Sequence, residues 1–98
     1  MYTGATIQTE RGEFTLYLDN RAARLAEKGL GKPLAELNER SFAELSEVLL
    51  ACLKRFHPGA TIETVDAIID DVGMLAAAEA LMEAVADAPP FREKRKPE

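Results

Sequence analysis

Residues 14–37, FTLYLDNRAARLAEKGLGKPLAEL, change hydrophobic period twice and carry their own punctuation. Phe14, Leu16 and Leu18 alternate with Thr15, Tyr17 and Asp19, so the apolar side chains share one face of an extended segment, a half-buried strand. Asp19 suits a helix N-cap, because its carboxylate can accept from the free amides two or three residues on and complements the helix dipole. Ala22, Ala23, Leu25 and Ala26 supply a helical stripe. Either Gly29 or Gly31 can close that helix in the left-handed conformation, and Pro33 is tolerated in the first turn of the next. The order is strand, helix, helix, with short connections.

Upstream, residues 5–8 form a short β-prone segment, and Thr9-Glu10-Arg11-Gly12 has the polar, glycine-ended character of a tight turn. An N-terminal β-hairpin over residues 5–8 and 13–18 is expected. Downstream, residues 33–40 read as a short helix burying Leu34 and Leu37. Ser41-Phe42-Ala43-Glu44 matches a capping box, in which the serine hydroxyl and the glutamate carboxylate each satisfy an orphan amide of a new helix. In that helix Phe42, Leu45, Leu49, Cys52 and Phe56 repeat at a 3-4-3-4 spacing, flanked by Val48 and Leu53, with Glu44, Ser46, Glu47, Lys54 and Arg55 on the other side. His57-Pro58-Gly59 ends it, since proline disfavours helical backbone at the preceding residue. Thr61 is the next N-cap, Ile62, Val65, Ile68, Ile69 and Val72 line the following helix, and a break falls near Gly73. A last, alanine-rich helix runs over residues 74–88 until Pro89-Pro90 stops it.

These elements fit one α+β domain, mainly α, over residues 1–90, with four to five short helices after the hairpin, and a mobile charged tail over residues 91–98. Ninety-eight residues bury about two-thirds of the unfolded surface, enough for one modest core. With 47% apolar and 30% charged residues the composition is globular rather than disordered. The chain has no apolar run long enough to cross a bilayer and no basic region followed by an apolar stretch at its start, so a cytoplasmic protein is expected. The single cysteine, Cys52, excludes an internal disulfide and reads as a small core residue.

Catalytic chemistry finds little to stand on. His57 and Cys52, the only residues of their types, lie five apart on a helix and point to nearly opposite sides, so neither a metal pair nor a Cys-His nucleophile is built locally. Asp66, Asp70 and Asp71 lack the spacing, central glycine and closing glutamate of a calcium loop. GLGK at residues 29–32 is short of a phosphate loop, and an enzyme would need a cluster such as His57 with Asp70 or Asp71 assembled from afar. No enzyme, cofactor or metal is expected. An acidic chain, at net charge −5, also repels phosphates, so nucleic acid is not the expected partner.

Charge is unevenly placed. Residues 1–60 balance, whereas residues 61–90 carry Glu63, Asp66, Asp70, Asp71, Glu79, Glu83 and Asp87 with no lysine or arginine. Glu79, Glu83 and Asp87 stand at i, i+4 and i+8, which costs a few tenths of a kcal/mol per like-charged pair. Screening by solvent, or the basic residues Arg92 to Lys96 folding back, is one answer to that cost; a groove for a basic helical partner is the other. Met74, Leu75, Ala78, Leu81, Met82 and Val85 form the apolar side of the same helix, either as core or as an adaptable binding surface.

In the order of its five blocks, EFTLYLD into the Leu25-Ala26-Glu27 step, LGKPLAEL, SFAELSEVLLACLKRFHP, TIETVDAIIDDVG and the alanine-rich helix, the chain resembles the small tail proteins of tailed phages and phage-like gene transfer agents, the tail assembly chaperone group. The resemblance implies a non-enzymatic protein of a bacterial host's cytoplasm, made from a phage or prophage-like tail cluster, that binds the helical tape-measure protein while the tail tube assembles. The expected partner-binding residues are Met74, Leu75, Ala78, Glu79, Leu81, Met82, Glu83, Val85 and Asp87. A self-associating structural component of the tail and a general helical adaptor are the alternatives.

Overall fold

A computed structural model of the chain describes residues 2–86, 88 and 89; Asp87 and the tail over residues 91–98 lie outside them. Strand β1 (Ala5–Thr9) pairs antiparallel with β2 (Gly12–Leu16), Ala5 opposite Leu16 and Thr9 opposite Gly12, leaving Glu10 and Arg11 as a two-residue turn. The Arg11 amide donates to Thr9 Oγ1, and the Glu10 amide donates to Asp71 Oδ2 at 2.6 Å, which pins the turn to a distant helix. Four α-helices follow: α1 (Asn20–Leu30), α2 (Phe42–Leu53), α3 (Ile62–Val72) and α4 (Met74–Ala86). The expected hairpin is therefore present, with β2 ending two residues early as the chain swings through Tyr17 and Leu18 into α1.

Local signals set most of the boundaries. Asp19 caps α1, accepting from the Ala22 amide at 2.8 Å, and Gly31 closes it in the left-handed conformation with its amide on the Glu27 carbonyl. The Thr61 amide donates to Thr64 Oγ1 at the start of α3, and Gly73 separates α3 from α4.

Four local expectations are corrected. Residues 33–40 make only a 3-10 turn, Leu34–Glu36, because eight residues barely repay helix nucleation and Asn38 turns its side chain onto the Arg40 amide. Leu34 is buried there and Leu37 only partly. The capping box is half formed: Ser41 Oγ accepts from the Glu44 amide at 3.3 Å, but the Ser41 amide already donates to the Asn38 carbonyl, so the Glu44 carboxylate reaches the Asn38 amide and Lys32 instead. Phe42 and Phe56, read as core, are 49% and 53% exposed: Phe42 opens α2, and Phe56 lies past it, since the helix expected to run up to His57 ends at Leu53. Ser46 is buried where a solvated position was expected, while Leu25 and Ile62 lie at the surface.

Helix α2 is the centre of the fold, packing on α1, α3 and β2, while α4 lies on β1 and α3. Leu16, Leu18, Leu45, Val48, Leu49, Cys52, Leu53, Val65 and Leu81 are completely enclosed, and each leucine-sized side chain withdrawn from water contributes about 2 kcal/mol. The end of α2 also finishes the sheet. The outward amides of β2 and its exit are taken by the last turn of α2 and the segment after it, Tyr17 by the Cys52 carbonyl at 2.9 Å and Thr15 by His57 Nε2 at 3.0 Å.

Candidate functional site

Helix α4 shows which of its side chains face out. Its inner stripe is Ala77, Leu81 and Ala84, continued by Ala88, all buried. The apolar side expected from the large residues is therefore rotated: Leu81 belongs to the core, Met74, Ala78 and Val85 lie half-buried on the flanks, and Leu75 and Met82 stand outside at 76% and 38% exposure. Alanine causes the shift, because a methyl side chain lets the helix approach the sheet closely where bulkier residues would hold it off. Leu75, Glu79, Met82 and Ala86 repeat at 4-3-4 along the outer side with Glu83 beside them, so apolar and acidic groups alternate on one exposed stripe. Among the described residues neither Glu79 nor Glu83 has an ion-pair partner. Asp87, the third member of the expected acidic row, lies outside the described residues.

Tyr2 fixes this helix to the hairpin, a role that sequence reading missed. Its hydroxyl accepts from the Leu18 amide and donates to the Ala84 carbonyl, both at 2.9 Å, joining residues 82 positions apart. Burial pushes the Tyr2 phenol above its ordinary value, although the Leu18 amide works in the opposite direction. The Tyr2 ring also meets Tyr17, whose ring is T-shaped to that of Phe56 and lies under the Arg55 guanidinium at 4.8 Å. This explains the exposed phenylalanine just past α2: it is one wall of an aromatic and cationic cluster rather than a core residue.

Arg55 reaches Asp19 at 3.0 Å, so the capping carboxylate of α1 is tied to the end of α2. Burial alone would raise the Asp19 carboxyl, but the Ala22 amide and the Arg55 guanidinium together hold it below its ordinary value of 3.8. A carboxyl depressed by folding contributes stability that is present above its unfolded value and lost as pH falls through its lower folded value. Asparagine retains the cap but not the charge. The advantage of the native chain over Asp19→Asn, under about 1 kcal/mol for so open a pair, is therefore expected to vanish as the pH of a urea titration is taken below 3.8. In the first turn of α2, Glu44 is likewise held low, first by the Asn38 amide and then by Lys32, with which it pairs at 2.9 Å.

Nothing in these groups assembles a nucleophile. Burial, and secondarily the charge of Asp19, push the Cys52 thiol up to about 12, so it stays protonated and enclosed. We expect Cys52 to resist a maleimide reagent in the native protein and to react completely once unfolded in guanidinium, as followed by mass spectrometry. His57 is a structural acceptor with its ring against Phe14, and Asp71 is engaged by the hairpin turn. Among the described residues no three histidine, cysteine or acidic side chains gather as metal ligands, and no helix is long and apolar enough to cross a membrane. An open cleft of about 720 Å³ lies between α1 and the end of α2, lined by Asp19, Arg21, Leu25, Lys54, Arg55 and Pro58 among others.

Comparison with known proteins gives no match to a family model, a curated protein or a solved structure.

Proposed function

We propose that the chain is a non-enzymatic protein-binding factor of the tail assembly chaperone kind, with the outer stripe of α4 as its docking surface for a basic, amphipathic helical segment of a tape-measure protein. The observation that carries this reading is the alternation of exposed Leu75 and Met82 with Glu79 and Glu83 on a helix anchored from behind by Leu81 and Tyr2. A helix laid along such a stripe buries its apolar anchors on Leu75 and Met82 and sets lysine or arginine against the two carboxylates. Methionine adjusts to different neighbours, which suits a surface that must hold successive segments of a long repetitive partner. Arrays of exposed apolar groups on tape-measure helices need covering until the tube encloses them, and a small acidic domain supplies both cover and solubility.

Co-expression with the tape-measure protein of its own gene cluster tests this. A soluble complex is expected, and Glu79→Lys with Glu83→Lys should weaken it about tenfold or more, equivalent to about 1.4 kcal/mol, with an unchanged circular dichroism spectrum. Equal affinity for the double variant would leave the acidic stripe as plain solvated surface. Stable rings or tubes of the purified protein would favour a structural tail component instead.

A further inference from the structure

We infer that the cleft between α1 and the end of α2 is a second docking site, of opposite charge preference, for an acidic amphipathic peptide segment of a partner protein. Its apolar lining is made by buried Ala22 and Ala51 with exposed Leu25, at 40%, and Pro58. Of its charged groups, Asp19 and Arg55 satisfy each other. Lys54 donates to the Ala60 carbonyl, which orients the ammonium without neutralising it. Arg21 has no carboxylate partner among the described residues. Two positive charges are thus left over at a partly apolar cleft in a chain whose net charge is −5.

The surplus extends beyond the cleft. Arg21, Arg24 and Lys28 follow the exposed side of α1 around Leu25, and the Glu27 carboxylate on the same helix is turned to the Leu34 amide at 2.7 Å. From Arg21 to Lys28 is two helical turns, about 10 Å. A single small anion needs one locus. A row of cations over this length, interrupted by a leucine, complements carboxylates repeated along a peptide with an apolar side chain between them. A nucleic acid is disfavoured by the overall negative charge and by the lack of an aromatic platform among the cleft residues. The site lies apart from the α4 stripe, since α1 packs on α2 and the 3-10 turn whereas α4 packs mainly on β1 and α3, with α2 touching both helices.

The test is a nuclear magnetic resonance titration of the full chain with a synthetic helical peptide of roughly 15 residues carrying glutamate and leucine at i, i+4 spacing. Shift changes are expected at Ala22, Leu25, Ala51 and Lys54, with affinity reduced tenfold or more by Arg21→Glu with Arg24→Glu. Both residues are exposed, so the variant is expected to fold; Lys54→Gln gives a second, milder reading. Binding should also weaken as salt rises from about 0.1 to about 1 M, where screening shortens from about 10 to about 3 Å. The inference is overturned by no binding, by shifts confined to α3 and α4, or by affinity indifferent to the charge reversal. Tighter binding of a single-stranded oligonucleotide at the same residues would overturn it too, as would concentration-dependent shifts there without peptide, which would make a second copy the occupant.

Discussion

Leu81→Ala is expected to cost about 3 kcal/mol, read as a lower urea midpoint at unchanged slope, and to loosen α4 before the rest of the domain. Leu81 is the one large, completely enclosed side chain on the inner stripe of that helix; its companions Ala77, Ala84 and Ala88 bury little area each. Removing it empties a leucine-sized space that methyl groups cannot fill. Against a total stability of about 5–15 kcal/mol the loss is large, and amide exchange over α4 should accelerate more than exchange over α2. The proposed partner binding through Leu75 and Met82 would fall with it, because both side chains owe their placement to the anchored helix. A cost under about 1 kcal/mol would mean that the Tyr2 hydroxyl, not Leu81, holds α4 in place.

Gly4→Ala is the second large effect. Gly4 has φ +78, and a Cβ there would overlap the backbone carbonyl oxygen of Leu16 across the hairpin. No side-chain rotation relieves that contact, so β1 must move off β2. Conformational strain and displacement together are expected to cost on the order of 2 kcal/mol, a fall of roughly 10 °C in Tm for a domain of this size. Gly59→Ala is the control, since an added Cβ there meets no atom within 4 Å and its backbone is not in the left-handed region. Equal behaviour of the two variants would contradict the close packing of residue 4 on β2.

What could be read from the sequence was what is decided within a few residues. The Asp19 cap, the hairpin turn and the break at Gly73 each depend on neighbours in the chain, and each is present; α2, expected to run up to His57-Pro58, already ends at Leu53. Failures came where distant elements decide. Phe42 and Phe56 continue the periodic stripe of α2, but periodicity is blind to where the covering helices end. On α4 nearly every residue is apolar, so hydrophobicity gives no contrast, and the small size of Ala77, Ala84 and Ala88, rather than the bulk of Leu75 or Met82, determines the inward side. The basic cleft joins Arg21 and Leu25 to Lys54 and Arg55 from separate helices, so no local motif announced it. A signal was present in the Arg21, Arg24, Leu25, Lys28 spacing, which places bases around an apolar residue on one side of α1.

The bonds from Thr15 to His57 and from Tyr17 to Cys52 carry a consequence for biogenesis. During synthesis the hairpin emerges long before residues 52–57, and until α2 arrives the outer edge of β2 presents unpaired amides beside Phe14 and Leu16. An isolated two-stranded hairpin is marginal in water, and such an edge is a template for pairing with other chains. The ribosome thus releases a segment that becomes safe only after about half of the protein has followed it, at a few seconds' delay for ordinary elongation rates of about 5–20 residues per second. Truncations ending before Cys52 should accordingly aggregate more readily than chains that extend past His57.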